Sequence, residues 1–198
     1  MARMSADERR AQLVEAAIAV MTRDGITKAT TRAIVGEAGV PLGVFHYCFD
    51  SKAALLERVV TTLHERAVER VLTTPPTTGS VRDIVRATLE VYWQHVITHR
   101  DEHRLTYEVT QAALHDPTLA GVARAQYELY LRTNTEALTT SAERIGVTFA
   151  VPVHELSRYL LSILDGLTLN WLLLGDDTTA AAVLDLASDH VAALTVPA

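Results

Sequence analysis

The chain has 198 residues, 48% of them hydrophobic, which excludes a disordered protein and is enough for one or two compact domains with a core. Its formal net charge of −6 argues against a uniformly basic nucleic-acid binder. The charge is unevenly distributed: residues 1–55 carry seven Lys and Arg against six Asp and Glu (net +1), and residues 56–198 carry eleven against eighteen (net −7). The first segment can therefore approach DNA while the acidic remainder stays off the phosphates.

Cysteine content and hydropathy indicate the cellular compartment in which the protein works. The single cysteine, Cys48, excludes an intramolecular disulfide and a thiolate zinc site, which fits a reducing environment. The charged N-terminus has no apolar stretch of the kind a signal peptide needs. The most apolar run, 159–175, is shorter than the roughly 20 residues of a membrane-spanning helix, and Asp165 and Asn170 interrupt it. We expect a cytoplasmic protein without a membrane segment.

Helix-start and helix-stop signals begin at the N-terminus. Ser5 and Glu8 have the spacing of a capping box, and Gly25 is placed to end the helix that follows. Asp50 and Ser51 precede an apolar pattern that predicts a long connecting helix over 51–72.

Two short helices are predicted between these longer ones. Thr30 and Thr31 are N-cap residues for the first, which ends at Gly39. The second runs over 42–49, and Pro41 suits its first turn because no backbone donor is needed there.

The second half of the chain is also predicted to be helical. Residues 73–80 form a linker, and Ser80 with Asp83 makes a second capping box. The next helix starts near Asp101 and stops before the dipeptide Asp116-Pro117, which also starts the helix that ends at Gly146.

The C-terminal helices indicate an oligomer. Residues 147–152 are predicted to be a loop, followed by helices over 153–174 and about 178–194. The helix over 153–174 is apolar nearly all round, so it must be buried on every side. We predict a homodimer through these last two helices (about 153–194), in which four helices share a core across a two-fold axis. The alternative is that the helix is the central core helix of a monomer.

The short helices and their turn have the geometry of a helix-turn-helix. Gly39 supplies the backbone freedom for the turn. The side chains expected to pack inward are Ile34, Ala38, Val40, Phe45 and Phe49. The second helix then presents a mostly uncharged outer face. From this pattern alone a plain helical hairpin is about as plausible as a DNA reader.

The residues of this segment closely resemble the N-terminal signature of the TetR (tetracycline repressor) family. The matching elements are Gly25, Thr27, Thr31, Ile34, Ala38-Gly39-Val40, Gly43, Phe45, Tyr47, Phe49, Lys52 and Leu55-Leu56. The resemblance implies a three-helix DNA-binding domain, a larger helical domain for a ligand and for dimerisation, and palindromic operators.

The resemblance also assigns site residues. The predicted DNA-binding set is Thr30, Thr31, Arg32, Leu42, Gly43, His46, Tyr47 and Lys52. Among them Arg32, Leu42, Gly43 and His46 match base-facing positions, and the remainder match phosphate-contacting or anchoring positions or stand at helix N-termini, where phosphate is favoured. Two positions depart from the family: His46 replaces a commoner Tyr, and Cys48 replaces a His that often binds phosphate. The thiol of Cys48 is interpreted as a small, partly buried group, with a redox switch as the alternative.

Polar and aromatic residues in the later domain suggest an effector pocket, since such pockets need an apolar lining with a few fixed polar groups. The predicted ligand-binding residues are Trp93, Tyr107, Gln111, Tyr127, Asn134, Asp165 and Trp171. Asp165 stands out because a carboxylate inside an apolar helix needs a buried partner or solvent. Its alternative place is the dimer interface. The aromatic residues equally suit the edge of a core.

No cofactor, metal or enzymatic activity is predicted. His95, His99 and His103 are spaced by four, but no carboxylate or cysteine completes a metal site, so they are interpreted as solvated or hydrogen-bonded. No nucleophile–base motif or phosphate loop is present.

The sequence therefore predicts an all-α protein of about nine helices, with a helix-turn-helix domain over 1–52 and a ligand-binding and dimerisation domain over 53–198. Its predicted function is a repressor that binds a palindromic operator as a homodimer and is released by a small-molecule effector. An activator, a ligand-independent regulator and a helical ligand carrier without DNA function are the alternatives.

Overall fold

The computed structural model describes residues 4–73 and 79–198, and the side chains of 4–68 and 79–198. In these ranges the chain forms nine α-helices and two short strands, so the predicted all-α class is confirmed. The helices are α1 (Ala6–Asp24), α2 (Thr31–Glu37), α3 (Leu42–Cys48), α4 (Lys52–Thr73), α5 (Val81–Thr98), α6 (Arg100–His115), α7 (Ala120–Ile145), α8 (Val153–Leu174) and α9 (Asp177–Ala193). The strands are β1 (Val147–Phe149) and β2 (Thr195–Pro197).

Contacts divide the chain into two compact units. The first unit comprises Met1–His64 and Asp101–Tyr127, and the second comprises Glu65–Arg100 and Glu128–Ala198. This division differs from the predicted boundary at residue 52, because α6 and the start of α7 pack with the N-terminal helices. The functional division into 1–52 and 53–198 stays a prediction.

Local capping signals set the observed helix boundaries. Both predicted capping boxes are present, with the Ser5 hydroxyl accepting from the Glu8 N–H and the Ser80 hydroxyl from the Asp83 N–H, each at 3.2 Å. Ser51 caps α4 through a 3.1 Å bond from the Ala54 N–H. Gly175 ends α8 with φ +67°, a conformation that favours glycine. Most of the predicted linker, residues 74–78, lies outside the described residues.

Two local features differ from the predictions. Asp116 caps a 3-10 turn, Pro117–Leu119, that leads into α7, so the helix itself starts three residues later than predicted. The segment predicted as a loop contains β1, which pairs antiparallel with β2, Val147 opposite Pro197. Three residues are too few to show the alternation of apolar and polar side chains that indicates a strand, and the pairing partner lies far along the chain.

Each unit has its own hydrophobic core. The first core joins α1–α4 to α6 and α7, and includes Leu13, Ile34, Phe45, Leu56, Leu105 and Val122. The second joins α5, α8 and α9, and includes Trp93, Val96, Leu160, Trp171 and Leu184. The first core fixes the helix-turn-helix, and the second contains Trp93 and Trp171, two of the residues predicted to bind the effector.

Candidate DNA interface and effector region

The helix-turn-helix is fixed against α1 by apolar packing and by two long polar side chains. Ile34, Phe45 and Phe49 are buried as predicted, and Ala38 and Val40 pack partly buried against the same core. The Gln12 amide donates to the Ala38 carbonyl at 2.9 Å, and the Arg10 Nε donates to the Cys48 carbonyl at 3.3 Å. These two bonds satisfy carbonyls at the C-terminal ends of α2 and α3, which have no partner within their own helices.

The ends of α2 have the predicted local structure. The Thr30 hydroxyl accepts from the Ala33 N–H at 3.2 Å and so caps the helix. Gly39 has φ +65°, a left-handed conformation in which a side chain would be strained. The chain therefore turns sharply between α2 and α3, as a helix-turn-helix requires.

The outer face of α3 is exposed and has few charges. The side chain of Tyr47 is 72% exposed and that of Leu42 is 41% exposed, and Gly43 and His46 lie on the same exposed side. Exposed apolar side chains that lie together on one face mark a surface that a binding partner can cover. The base methyl groups and sugars of a DNA groove are suitable partners for such a face.

Two further predicted residues lie at the start of α2. Arg32 is exposed, and Thr31 is half-buried beside it. The Cys48 side chain, at the end of α3, is only 8% exposed and belongs to the first core. Its thiol is therefore a buried packing group, in agreement with the interpretation from the sequence.

Lys52 is placed differently from the other predicted DNA-binding residues. Its ammonium donates to the backbone carbonyl of Ile26 at 3.3 Å, and the side chain is half-buried. Burial lowers the pKa of the Lys52 ammonium. Its phosphate contact stays a prediction, but its hydrogen bond in this structure goes to the protein.

The seven predicted ligand-binding residues fall in different units. Trp93, Asn134, Asp165 and Trp171 belong to the second unit. Tyr107, Gln111 and Tyr127 belong to the first unit, and Gln111 is exposed. No single unit therefore contains all seven residues.

The two tryptophans are part of the second core. Trp93 is 4% exposed and Trp171 is 8% exposed. The Trp171 indole N–H donates to the Asp177 carboxylate at 2.7 Å, and the Arg100 guanidinium lies 5.2 Å from the centre of the Trp171 ring. This indole thus already accommodates a cation on its face.

Tyr92 and Asp165 lie close enough in the second unit for the charge of Asp165 to act on the Tyr92 hydroxyl. Burial raises the pKa of Tyr92 to about 12, with the nearby Asp165 carboxylate adding to the shift and the Thr168 hydroxyl opposing it. Tyr92 therefore keeps its proton near neutral pH and can act as a hydrogen-bond donor. Sequence reasoning missed Thr168 and Arg100, because a Thr in a helix and an Arg at a helix start give no distinctive pattern.

The three histidines do not come together as a metal site. The His95 and His99 rings stack with centroids 4.3 Å apart, whereas His103 belongs to the first unit. Among the described residues, no group of three or more His, Cys, Asp or Glu side chains is arranged to hold a metal ion. The same residues also contain no helix that is long and apolar enough to cross a membrane.

Comparison with known proteins agrees with this architecture. Residues 13–59 match the family of bacterial regulatory proteins named tetR, and residues 81–196 match the BetI-type transcriptional repressor C-terminal family. The nicotine-responsive transcriptional repressor HdnoR of Paenarthrobacter nicotinovorans is 28% identical over 169 residues, covering 85% of this chain and 86% of that protein. The transcriptional regulator BetI of Burkholderia mallei is 25% identical over 198 residues, covering 96% and 94%.

Solved structures give the same result. The multidrug binding protein EbrR, crystallised with imidazole, superimposes with a TM-score of 0.68 at 26% identity, covering 93% of this chain and 90% of that one. A TetR transcription regulator from Haloarcula marismortui has a TM-score of 0.74 at 19% identity and covers 96% and 100%, which shows the shared fold. The chain therefore belongs to the TetR family, as a DNA-binding transcriptional repressor and not an enzyme.

Proposed function

We propose that this repressor binds a palindromic operator as a homodimer, through the exposed faces of α2 and α3, and that an organic cation releases it. The observation that carries the DNA-binding part is the exposed, mostly uncharged face of α3, with Tyr47 at 72% exposure. Because its target is operator DNA, we place the protein in the cytoplasm.

In this proposal α3 enters the major groove. Leu42, Gly43 and His46 face base edges, and Tyr47 lies against the sugar-phosphate backbone. Thr30 and Thr31 bring hydroxyl groups and backbone N–H groups to a phosphate at the start of α2. Arg32, exposed on α2, is the residue long enough to reach a base edge, and a bidentate arginine contact to guanine would give sequence preference.

The test is quantitative DNA binding with a duplex that the wild-type chain selects from a random library. Arg32→Ala should weaken binding by about 1–3 kcal/mol, which is roughly 5- to 150-fold. The matched control is Arg124→Ala, which removes an exposed arginine of α7 outside the helix-turn-helix. Equal affinity of Arg32→Ala and wild type, with the same salt dependence, would show that this docking is wrong.

The proposed dimer interface is the exposed face of α8 and α9. Leu169, Leu173 and Leu174 of α8 are 43%, 76% and 75% exposed, and Leu186 of α9 is 58% exposed. The opposite face of α8, from Leu156 to Trp171, is already buried in the second core. A second copy of the same face would bury these leucines across a two-fold axis.

Gly166 and a polar pair support this interface. Gly166 lies on the exposed side of α8, and a Cβ built there meets nothing within 4 Å, so a neighbouring helix can approach closely. The Tyr159 hydroxyl and His190 Nδ1 are 2.5 Å apart and join α8 to α9 on this side. A symmetric dimer sets the spacing of the two α3 helices, which must lie about one turn of DNA apart to read two half-sites.

The effector is proposed to be a nitrogen-containing aromatic cation bound near Asp165. Residues 56–198 carry a net charge of −7, which favours a cation over an anion. Asp165 supplies a partly buried carboxylate, Tyr92 a neutral hydroxyl, and the half-buried Asn134 of α7 a further polar group. Nicotine and imidazole, which the names of two similar proteins mention, both contain ring nitrogens that can be protonated.

The effector releases the repressor from its operator because it binds one arrangement of the dimer better than another. The effector binds better to an arrangement of the dimer in which the two α3 helices no longer match the operator spacing, so its binding lowers operator affinity. A preference of a few kcal/mol between the two arrangements is sufficient to empty the operator.

A further inference from the structure

The turn between α1 and α2 is held by charged side chains from two other helices. Glu108 of α6 accepts a hydrogen bond from the backbone N–H of Ile26 at 3.2 Å. Lys52 of α4 donates to the carbonyl of the same residue at 3.3 Å. Both backbone groups of Ile26 are therefore satisfied by side chains of opposite charge, and hydrogen bonds to ionised partners are stronger than neutral ones.

A third side chain extends this contact to the end of α1. Arg104, one helical turn before Glu108, donates to the carbonyl of Thr22 at 3.1 Å. Thr22 is in the last turn of α1, where carbonyls lack partners within the helix and a cation is favourable. Arg104 Nε also lies 3.8 Å from the Glu108 carboxylate, so the two side chains support each other.

The backbone of the turn is shaped to receive these groups. Gly25 has φ +83°, a conformation that side chains rarely adopt. A Cβ built on Gly25 would lie 3.7 Å from the nearer Glu108 carboxylate oxygen, so the carboxylate sits directly against the turn. All of these residues belong to the first unit.

We infer that Glu108 and Lys52 are positioning residues for operator binding, which hold the Ile26 peptide groups from both sides and so fix the direction in which the chain leaves α1 for α2. Lys52 acts through this turn and not by contacting a DNA phosphate. The effect on operator binding rests on the proposed DNA-binding function. The clamp, by which we mean the two hydrogen bonds that join Ile26 to Glu108 and Lys52, is a property of the free protein.

The clamp is tested first by amide hydrogen exchange at Ile26 in the full-length protein. Glu108→Ala removes the acceptor, and the Ile26 amide should then exchange at least about tenfold faster. Glu108→Gln keeps an acceptor oxygen and should restore most of the protection. Glu128→Ala, an exposed acidic residue of α7, controls for the loss of one negative charge. An unchanged Ile26 exchange rate in a folded Glu108→Ala protein overturns the inference.

The role of Lys52 is tested by the salt dependence of DNA binding, on the duplex selected by the wild-type chain. Lys52→Met keeps the apolar stem and removes the ammonium. A positioning role predicts weaker binding, by about tenfold, with an unchanged slope of log K against log salt, whereas a lost phosphate contact would make that negative slope shallower by about 0.9. A shallower slope, or an unchanged affinity, overturns the inference. If no duplex is selected, the DNA-binding proposal fails, and the Ile26 exchange still decides the clamp.

Discussion

The rings of Trp93 and Trp171 meet edge to face, with centroids 5.5 Å apart and planes at 73°. This is a favourable arrangement for two aromatic rings, and it joins α5 to α8 in the second core. Both residues were predicted to bind the effector. Their packing shows that they stabilise the unit whether or not one edge also touches a ligand, so a binding defect in either variant has to be separated from a folding defect.

We therefore expect Trp93→Ala to reduce the free energy of unfolding by about 3–5 kcal/mol, because it leaves a cavity beside Trp171 and removes the ring contact. Denaturant unfolding followed by circular dichroism measures this loss. Gln111→Ala, at an exposed position of α6, is the control and should change the free energy by less than about 0.5 kcal/mol. A Trp93→Ala protein as stable as the wild type would exclude Trp93 from the core.

The proposed dimer interface gives a second prediction. Leu173→Glu places a charge on the exposed face of α8, so it should dissociate the dimer at micromolar concentration without unfolding the chain. Each leucine buried at an interface contributes about 1.5–3 kcal/mol, and two-fold symmetry doubles the effect to a weakening of at least about 100-fold. Sedimentation equilibrium measures the dissociation constant.

A matched leucine controls for this change. Leu114 of α6 is 73% exposed, close to the 76% of Leu173, and it lies outside the proposed interface. Leu114→Glu should leave the dimer intact. Dissociation by the Leu114 variant and not by the Leu173 variant would move the interface away from α8 and α9.

An ion-pair network between α5 and α9 gives a pH-dependent prediction. Asp185 accepts from Arg86 at 3.0 Å and from Arg82 at 3.2 Å. The hydrogen bond from Arg86, followed by its charge and by Arg82, lowers the pKa of Asp185 below its ordinary value of 3.8. A carboxyl group whose pKa is lower in the folded than in the unfolded state stabilises the fold when the pH is above the unfolded-state pKa. This contribution is lost as the pH falls through the folded-state pKa.

We therefore expect Asp185→Asn to lower the midpoint of thermal unfolding slightly between pH 5 and 8, since these pairs are partly exposed and screened by water. The difference from the wild type should shrink below pH 3.8 and should also shrink in high salt. Glu143→Gln, an exposed acidic residue of α7, is the charge-matched control. A difference that grows toward acid pH would contradict the assigned pairing.

The helix boundaries could be predicted because their signals are local. Ser5, Ser80 and Gly25 each determine a helix end through neighbours within a few residues, and all three act as expected. The buried and exposed faces of α3 followed in the same way from helical periodicity and the family resemblance.

Contacts between distant segments could not be predicted. The bond between Glu108 and Ile26 joins residues 82 positions apart, and no spacing in the sequence indicates it. The pairing of β1 with β2 and the insertion of α6 into the first unit are of the same kind. Lys52 shows the consequence: its position at the start of a helix suggested a phosphate contact, whereas its hydrogen-bond partner is set by the tertiary fold.

The effector proposal leads to a prediction about Asp165. If its carboxylate pairs with a bound cation, Asp165→Asn keeps the size of the side chain but removes the charge, and affinity for a protonated nicotine probe should fall at least about tenfold, since an ion-paired hydrogen bond is worth about 1.5–3 kcal/mol. Isothermal titration calorimetry at pH 7 measures this without labels. Glu155→Gln, at an exposed acidic position of α8, controls for the loss of one negative charge and should leave the affinity for nicotine unchanged. An Asp165→Asn protein that binds nicotine as tightly as the wild type would show that the charge is not used. If instead the variant fails to dimerise, Asp165 belongs to the dimer interface, the second place that the sequence allowed for it.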